Sequence, residues 1–167
     1  MNSPRTLLVI PHTHWDREWY RPFEDYRYRL MRALDGVLDG GMPYFLLDGQ
    51  TAVVDDYLAL RPERRAQLRA GIEEGRLGFG PWYVLVDEFL VSGEALVRNL
   101  LAGRAAMREM GVPAGTQAVG YLPDMFGHVA QMPQILRGFG LDKAVLWRGA
   151  GGRASPGARP TARAWTR

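Results

Sequence analysis

The residues best equipped for chemistry lie near the N-terminus, in the run Pro11-His12-Thr13-His14-Trp15-Asp16-Arg17-Glu18-Trp19-Tyr20, directly after the apolar stretch Thr6 to Ile10. In an extended segment alternate side chains share a face, so His12, His14 and Asp16 are expected to point the same way. Two imidazoles and a carboxylate on one face make half of a zinc site. The chain has no cysteine, so any metal must be held by imidazole nitrogen and oxygen. A second such run is Gly120-Tyr121-Leu122-Pro123-Asp124-Met125-Phe126-Gly127-His128. Its carboxylate, Asp124, follows an apolar stretch, a position that suits either catalysis or the capping of a turn.

The elements that must position these residues alternate between strand-like and helix-like segments joined by short connections, the signature of an α/β fold. Thr6 to Ile10 is continuously apolar, as a parallel strand covered on both faces should be. Tyr44 to Leu47, Trp82 to Val86, Ala118 to Leu122 and Ala144 to Trp147 read the same way. Phe23, Tyr26, Leu30, Met31, Leu34, Val37 and Leu38 recur at helical spacing, and Gly40-Gly41 supplies a stop. Further helices are predicted over Thr51 to Leu60, Pro62 to Glu74 and Pro133 to Phe139. Another begins after Ser92 with Leu96, Val97, Leu100, Leu101 and Ala105 on its inner face. Each strand delivers a polar loop at its C-terminal end: His12 to Glu18, Asp48-Gly49-Gln50, Asp87-Glu88 and Asp124. Parallel strands would gather these loops on one rim, where α/β folds place their chemistry. An eight-stranded barrel takes about 250 residues, so five strands amount to an arc of a barrel.

Composition narrows the partners. Hydrophobic residues make up 47% of the 167 and charged residues 23%, the balance of an ordinary globular domain. The pI of about 9.5 would suit a nucleic-acid binder, but the excess charge sits in a tail. Between Gly149 and Arg167 lie Arg153, Arg159, Arg163 and Arg167 and no acid; without those four the 21 basic residues fall to 17 against 18 acidic. The body then carries no basic stripe, and no nucleic-acid partner is expected. No apolar run approaches a membrane span, and Leu7 to Ile10 is too short for a signal-peptide core, so a cytoplasmic location and no membrane partner are expected. Residues 149–167, rich in Gly, Ala, Arg and Pro, lack apolar periodicity and are expected to be disordered. They read as the product of a frameshift near Arg148 or Gly149, or as a natural flexible tail.

Four segments taken in order carry a resemblance to a known family. They are the run Pro11 to Trp19, Leu46-Leu47-Asp48-Gly49-Gln50, Gly80-Pro81-Trp82-Tyr83 through Asp87-Glu88, and Gly120 through His128. Together they resemble the N-terminal catalytic domain of glycoside hydrolase family 38, the zinc-dependent alpha-mannosidases, over residues 1–148 as the N-terminal part of that domain.

The resemblance implies a partial seven-stranded β/α barrel whose C-terminal part is missing, and a retaining glycosidase acting on terminal alpha-mannosyl residues of an oligosaccharide or glycoside. It implies Zn2+ held by His14, Asp16 and Asp124, with Asp124 also the nucleophile and Trp19 stacked on the sugar. The family's acid/base carboxylate and a further zinc histidine lie downstream and have no counterpart here, so the fragment is expected to be inactive by itself. Full-length relatives are expected to be homo-oligomeric. A retaining mechanism pairs a nucleophilic carboxylate with a second carboxyl group roughly 5 Å away. Two other functions fit the motifs: a metal-dependent hydrolase of another class with a His-x-His site, which would activate water, and a non-catalytic remnant.

Several roles stay open at the level of sequence. His12 is either a ligand or a hydrogen-bonding support. Trp19 is either a sugar platform or core, and Trp15, Trp82 and Tyr83 are further aromatic candidates for the pocket. Asp87 and Glu88 either line the pocket or sit at the rim paired with arginine, and Arg17-Glu18 is expected as a local ion pair. His128 carries no assignment.

Overall fold

A computed structural model describes residues 6–7, 9–113 and 119–149, together with the backbone strand Arg163–Trp165. In chain order the elements are α1 (Phe23–Asp39), β1 (Phe45–Leu46), α2 (Ala52–Leu60), a single 3-10 turn (Pro62–Arg64), α3 (Arg65–Glu73), β2 (Leu77–Gly78), α4 (Gly93–Glu109), β3 (Val119–Leu122), α5 (Met132–Gly138), β4 (Lys143–Leu146) and β5 (Arg163–Trp165). β1 pairs with β2 in parallel, and β3 with β4 in parallel. Single parallel bridges extend the first sheet, from His12 to Leu46 and from Gln50 to Trp82. The architecture is α/β with short parallel strands in two small sheets.

The helices follow their apolar periodicity. α1 buries Leu30, Met31, Leu34, Val37 and Leu38, a stripe at i, i+4, i+7. It stops as predicted: the Gly40 N–H donates to the Gly36 carbonyl at 2.8 Å, and Gly41 takes a left-handed φ of 64° that glycine adopts without strain. Ser92 caps α4 by accepting from the Ala95 N–H at 3.2 Å. The buried stripe of α4 is Leu96, Leu100, Gly103 and Met107, whereas Leu101 and Ala105, expected inward, are exposed. At Gly103 a Cβ would fall on the Pro81 carbonyl oxygen and the Trp82 backbone. The helix therefore rests directly on the chain that leads into the site, which only glycine permits.

Two apolar clusters form the core. α1, α2 and α3 pack around Leu34, Val53, Tyr57, Leu68 and Phe79, and α4 and α5 close over β3 and β4 through Trp82, Leu96, Leu100, Leu122 and Leu136.

Two expectations are corrected. Thr6 to Ile10 does not form a strand; its pairing is confined to the His12 bridge and to backbone hydrogen bonds from Thr13 N to Leu46 O and from Leu46 N to Pro11 O. Among the described residues of that run Leu7, Val9 and Ile10 are 86%, 76% and 66% exposed. The strand expected over Trp82 to Val86 lies instead at Leu77–Gly78. Pro81 has no N–H to offer a ladder, Trp82 pairs only through the single Gln50 bridge, and side chains take the N–H groups of Tyr83, Val84 and Leu85. The Tyr83 and Val84 N–H groups donate to Asn99 Oδ1 at 2.8 and 3.0 Å, Asn99 Nδ2 donates to the Val84 carbonyl at 2.7 Å, and the Leu85 N–H donates to Gln50 Oε1 at 3.3 Å. Within the tail, Arg163–Trp165 pairs antiparallel with β4, whose outer edge offers an unpaired ladder; the rest of the tail lies outside the described residues.

Candidate metal and substrate site

The polar loops at the C-terminal ends of the parallel strands meet, as the α/β rim rule requires. His14 Nε2 stands 3.8 Å from Asp16 Oδ1 and 3.3 Å from Asp124 Oδ2. One ligand atom from each of His14, Asp16 and Asp124 lies within 4.8 Å of the others. Two neighbouring residues and one about 110 positions further along the chain thus converge on one point, and the set is hard oxygen plus imidazole, a donor set that suits a divalent cation.

His12 does not join this cluster. Its Nδ1 lies 2.9 Å from the Tyr121 hydroxyl, and the two rings meet edge to face at 6.2 Å. Burial and the nearby Asp48 charge push the Tyr121 pKa up to about 12, so the hydroxyl stays protonated and shares a hydrogen bond with His12. The chain between His12 and Asp16 leaves strand geometry, which breaks the alternation that would have kept all three side chains on one face.

Asp48, read from sequence only as a rim residue, is fully buried beside His14. It accepts from the Trp15 N–H at 2.9 Å, the Gly49 N–H at 2.6 Å and Gln50 Nε2 at 2.6 Å. Its Oδ1 faces His14 Nδ1 at 3.8 Å, and that nitrogen is buried without a hydrogen-bond partner. Asp48 as an acceptor holds the His14 pKa above the usual histidine value; burial opposes this, and the charges of Asp48, Asp16 and Asp124 reinforce it.

Arg148 is a second residue of the site that the sequence reading passed over. It follows β4, and its Nε forms an ion pair with Asp124 Oδ1 at 2.8 Å. Its N–H donates to the Pro123 carbonyl at 3.0 Å, and its own carbonyl lies 3.1 Å from His128 Nε2. His128 in turn sits 2.7 Å from Glu88 Oε1. Glu88, expected in the pocket or at the rim beside an arginine, is 1% exposed and also accepts from the Val129 N–H at 2.8 Å. The correction has a simple cause, since a buried carboxylate must fill its acceptor positions from the nearest donors. Arg17 likewise pairs not with Glu18 but with Asp56, in a two-pronged contact at 2.7 and 2.8 Å.

The metal-type cluster forms one wall of an open cleft of about 370 Å3, whose other walls include Trp19, Phe126, Asp87 and Arg148. Trp19 is 63% exposed and Phe126 68% exposed, so both present ring faces to whatever enters. Trp82 is fully buried and belongs to the core, and Trp15 packs against Tyr26 at 6.2 Å beside the other cluster. Exposed aromatics beside polar, metal-binding groups suit a ligand with apolar faces and many hydroxyls.

Residues 4–150 match the N-terminal domain of glycosyl hydrolases family 38. The chain belongs to this family. Among family 38 relatives, a putative mannosylglycerate hydrolase of Halalkalibacterium halodurans is 46% identical over 150 residues, covering 87% of this chain and 16% of that protein. Alpha-mannosidase 2C1 of Mus musculus is 27% identical over 146 residues, covering 84% of this chain and 14% of that protein. The crystal structure of an alpha-mannosidase from Enterococcus faecalis V583 superposes with a TM-score of 0.76 at 41% identity, covering 82% of this chain and 16% of the other. The chain spans about one sixth of the length of the relatives it matches. No helix among the described residues is long and apolar enough to cross a membrane.

Proposed function

We propose that these residues form the metal-binding and nucleophile-bearing part of a zinc-assisted retaining alpha-mannosidase acting on terminal alpha-mannosyl residues. The observation that carries this reading is the convergence of His14, Asp16 and Asp124 within 4.8 Å at the mouth of an aromatic-walled cleft. The fit to a metal rests on the donor set and on His14, whose buried Nδ1 faces Asp48 while its Nε2 faces the two carboxylates. His14, Asp16 and Asp124 would hold the ion. When bound, zinc supplies a Lewis-acidic anchor for sugar hydroxyls.

Asp124 has the role of nucleophile: one carboxylate oxygen attacks the anomeric carbon, the glycosidic bond to the leaving oxygen breaks, and a covalent ester to the sugar forms. Arg148 orients the Asp124 carboxylate through its 2.8 Å contact. Trp19 and Phe126 offer ring faces to the C–H side of the sugar and exclude water from it. The proton for the leaving oxygen must come from a second carboxyl group, which by family resemblance lies in a later strand. We therefore infer that the 167 residues taken alone bind metal but turn over little or no substrate. The mannosylglycerate and mannosidase names of the relatives point to a mannose-containing glycoside as the substrate class.

Two measurements test the reading. The purified chain is expected to bind one equivalent of Zn2+, and Asp16→Ala is expected to weaken that binding by tenfold or more, on the order of 1.4 kcal/mol; unchanged zinc content in the variant would refute the metal assignment. In a longer polypeptide that supplies the rest of the domain, a slow fluorinated mannoside is expected to trap an adduct on Asp124. A catalytically active protein that leaves Asp124 unlabelled would instead favour a water-activating metal hydrolase.

A further inference from the structure

The Asp48 carboxylate ends β1 on the far side of the His14 ring from the metal cluster, and its hydrogen bonds leave it little freedom. Oδ2 accepts from the Trp15 N–H at 2.9 Å and from Gln50 Nε2 at 2.6 Å, and Oδ1 accepts from the Gly49 N–H at 2.6 Å. Gln50 is itself held, because its Nε2 also donates to the Trp15 carbonyl at 2.5 Å and its Oε1 accepts from the Leu85 N–H. The group is fully buried. With Oδ1 committed to Gly49, its remaining acceptor capacity points toward His14 Nδ1, 3.8 Å away and buried without another partner.

A neutral imidazole carries its proton on one nitrogen and a lone pair on the other. A fixed carboxylate accepts only, so opposite Nδ1 it favours the tautomer with hydrogen on Nδ1 and leaves the Nε2 lone pair toward Asp16 and Asp124. We propose that Asp48 is a positioning residue for the metal centre: it selects the Nδ1–H tautomer of His14, fixes the ring plane, and aims Nε2 at the ion. Asp48 also grips the backbone of Trp15, the residue directly after His14, and so controls both the ring and the chain that carries it. The inference rests on the metal reading above and deepens it. Partners of this kind commonly contribute 10–100-fold to metal affinity.

Asp48→Asn is the informative variant, because it keeps size and shape. In either orientation of its amide, the NH2 group confronts a donor, whether Gly49 N–H and His14 Nδ1–H or Trp15 N–H and Gln50 Nε2. Calorimetric titration of the full chain with Zn2+ is expected to show affinity for the variant reduced by about 10–100-fold. Gln50→Ala serves as the control for a merely structural role. It removes a hydrogen bond to the same carboxylate but leaves that carboxylate opposite His14, so it is expected to lower the urea midpoint while holding zinc affinity within about threefold, under 1 kcal/mol. Equal zinc affinity in Asp48→Asn and the unaltered chain overturns the proposal and leaves the metal centre standing; equal losses in Asp48→Asn and Gln50→Ala overturn it in favour of general destabilisation. Absence of zinc binding by the unaltered chain overturns the metal reading and this inference with it.

A second readout needs no variant. In 15N-edited spectra of the zinc-loaded chain, the His14 ring is expected in the Nδ1–H tautomer, with that proton slow to exchange with solvent because the nitrogen is buried opposite Asp48. A His14 ring proton that exchanges like that of free imidazole overturns the assignment.

Discussion

At the residue scale, burial divides the tryptophans that sequence alone could not separate. Trp19 and Trp82 both stand beside motifs of the site, yet Trp82 is fully buried among Leu96, Leu100 and Leu122 while Trp19 is 63% exposed at the cleft. Truncating a buried tryptophan costs about 3–5 kcal/mol, through lost transfer energy and the cavity left behind. Trp82→Ala is therefore expected to lower chemical stability by that amount, whereas Trp19→Ala should change it by less than about 0.5 kcal/mol. In a catalytically complete polypeptide, Trp19→Ala should instead weaken mannoside binding by about 0.5–1.5 kcal/mol, the worth of a ring-face contact. Urea melts and substrate titrations read the two effects separately, and a Trp19→Ala protein as unstable as Trp82→Ala would remove Trp19 from the substrate wall. His14, Asp16 and Asp124 were marked out in the sequence by motifs resembling those of a known family, whereas alternation along an extended chain also grouped His12 with them, and His12 turns instead to Tyr121. Asp48 and Arg148 were not singled out as site residues, since their importance lies in what they face after folding, and neither a buried Asp-His contact nor an Arg-Asp contact across two loops leaves a local pattern.

At the element scale, the helices and the strands at Phe45–Leu46, Val119–Leu122 and Lys143–Leu146 were legible to within a residue or two, while the strands expected over Thr6 to Ile10 and Trp82 to Val86 were not. Helices such as α1 satisfy most of their backbone groups internally, so apolar spacing and a glycine stop suffice to locate them. Strands borrow their partners. Trp82 to Val86 has the composition of a strand, but the amide of Asn99 on α4 captures its backbone groups, a tertiary event invisible in the segment itself. That capture depends on α4 approaching closely, and the approach depends on Gly103. Gly103→Ala is expected to destabilise the chain by about 1–3 kcal/mol, because its Cβ would meet rigid backbone and no flexible side chain can yield. Gly36→Ala in α1 is the opposite case, with no atom within 4 Å of the added methyl; helix propensity should stabilise it by about 0.4–1 kcal/mol. Thermal melts of the pair check both signs, and a neutral Gly103→Ala would mean that α4 can lift away from the Pro81 loop at no cost.

At the scale of the whole molecule, the contrast between composition and exposure at the first apolar run is the most consequential feature. Thr6 to Ile10 has the make-up of a strand covered on both faces, yet Leu7, Val9 and Ile10 stand 66–86% exposed, and the parallel bridge to Leu46 is made only by the adjoining His12. At about 25 cal/mol per Å2, burying side chains of this size is worth about 1.5–3 kcal/mol each, so the edge is a strong driver for association with whatever surface can cover it. The relatives are about six times as long over the same alignment, and we infer that further strands of the same domain form that cover. The 167-residue chain on its own is expected to bind an apolar dye and to exchange the amides of residues 9–13 rapidly. A longer polypeptide continuing through the rest of a family 38 domain should lose the dye signal and protect those amides, as pairing on both edges of the run would require. Replacing Val9 and Ile10 with Lys should abolish dye binding in the short chain while leaving its helical content intact, because neither side chain belongs to either apolar cluster; in the long polypeptide the same change should be destabilising, since it would place two unpaired charges inside the barrel wall. Equal tolerance of the two lysines in both lengths would show that the run stays at the surface even in the complete domain, and the exposed edge would then be native and not an unpaired barrel strand.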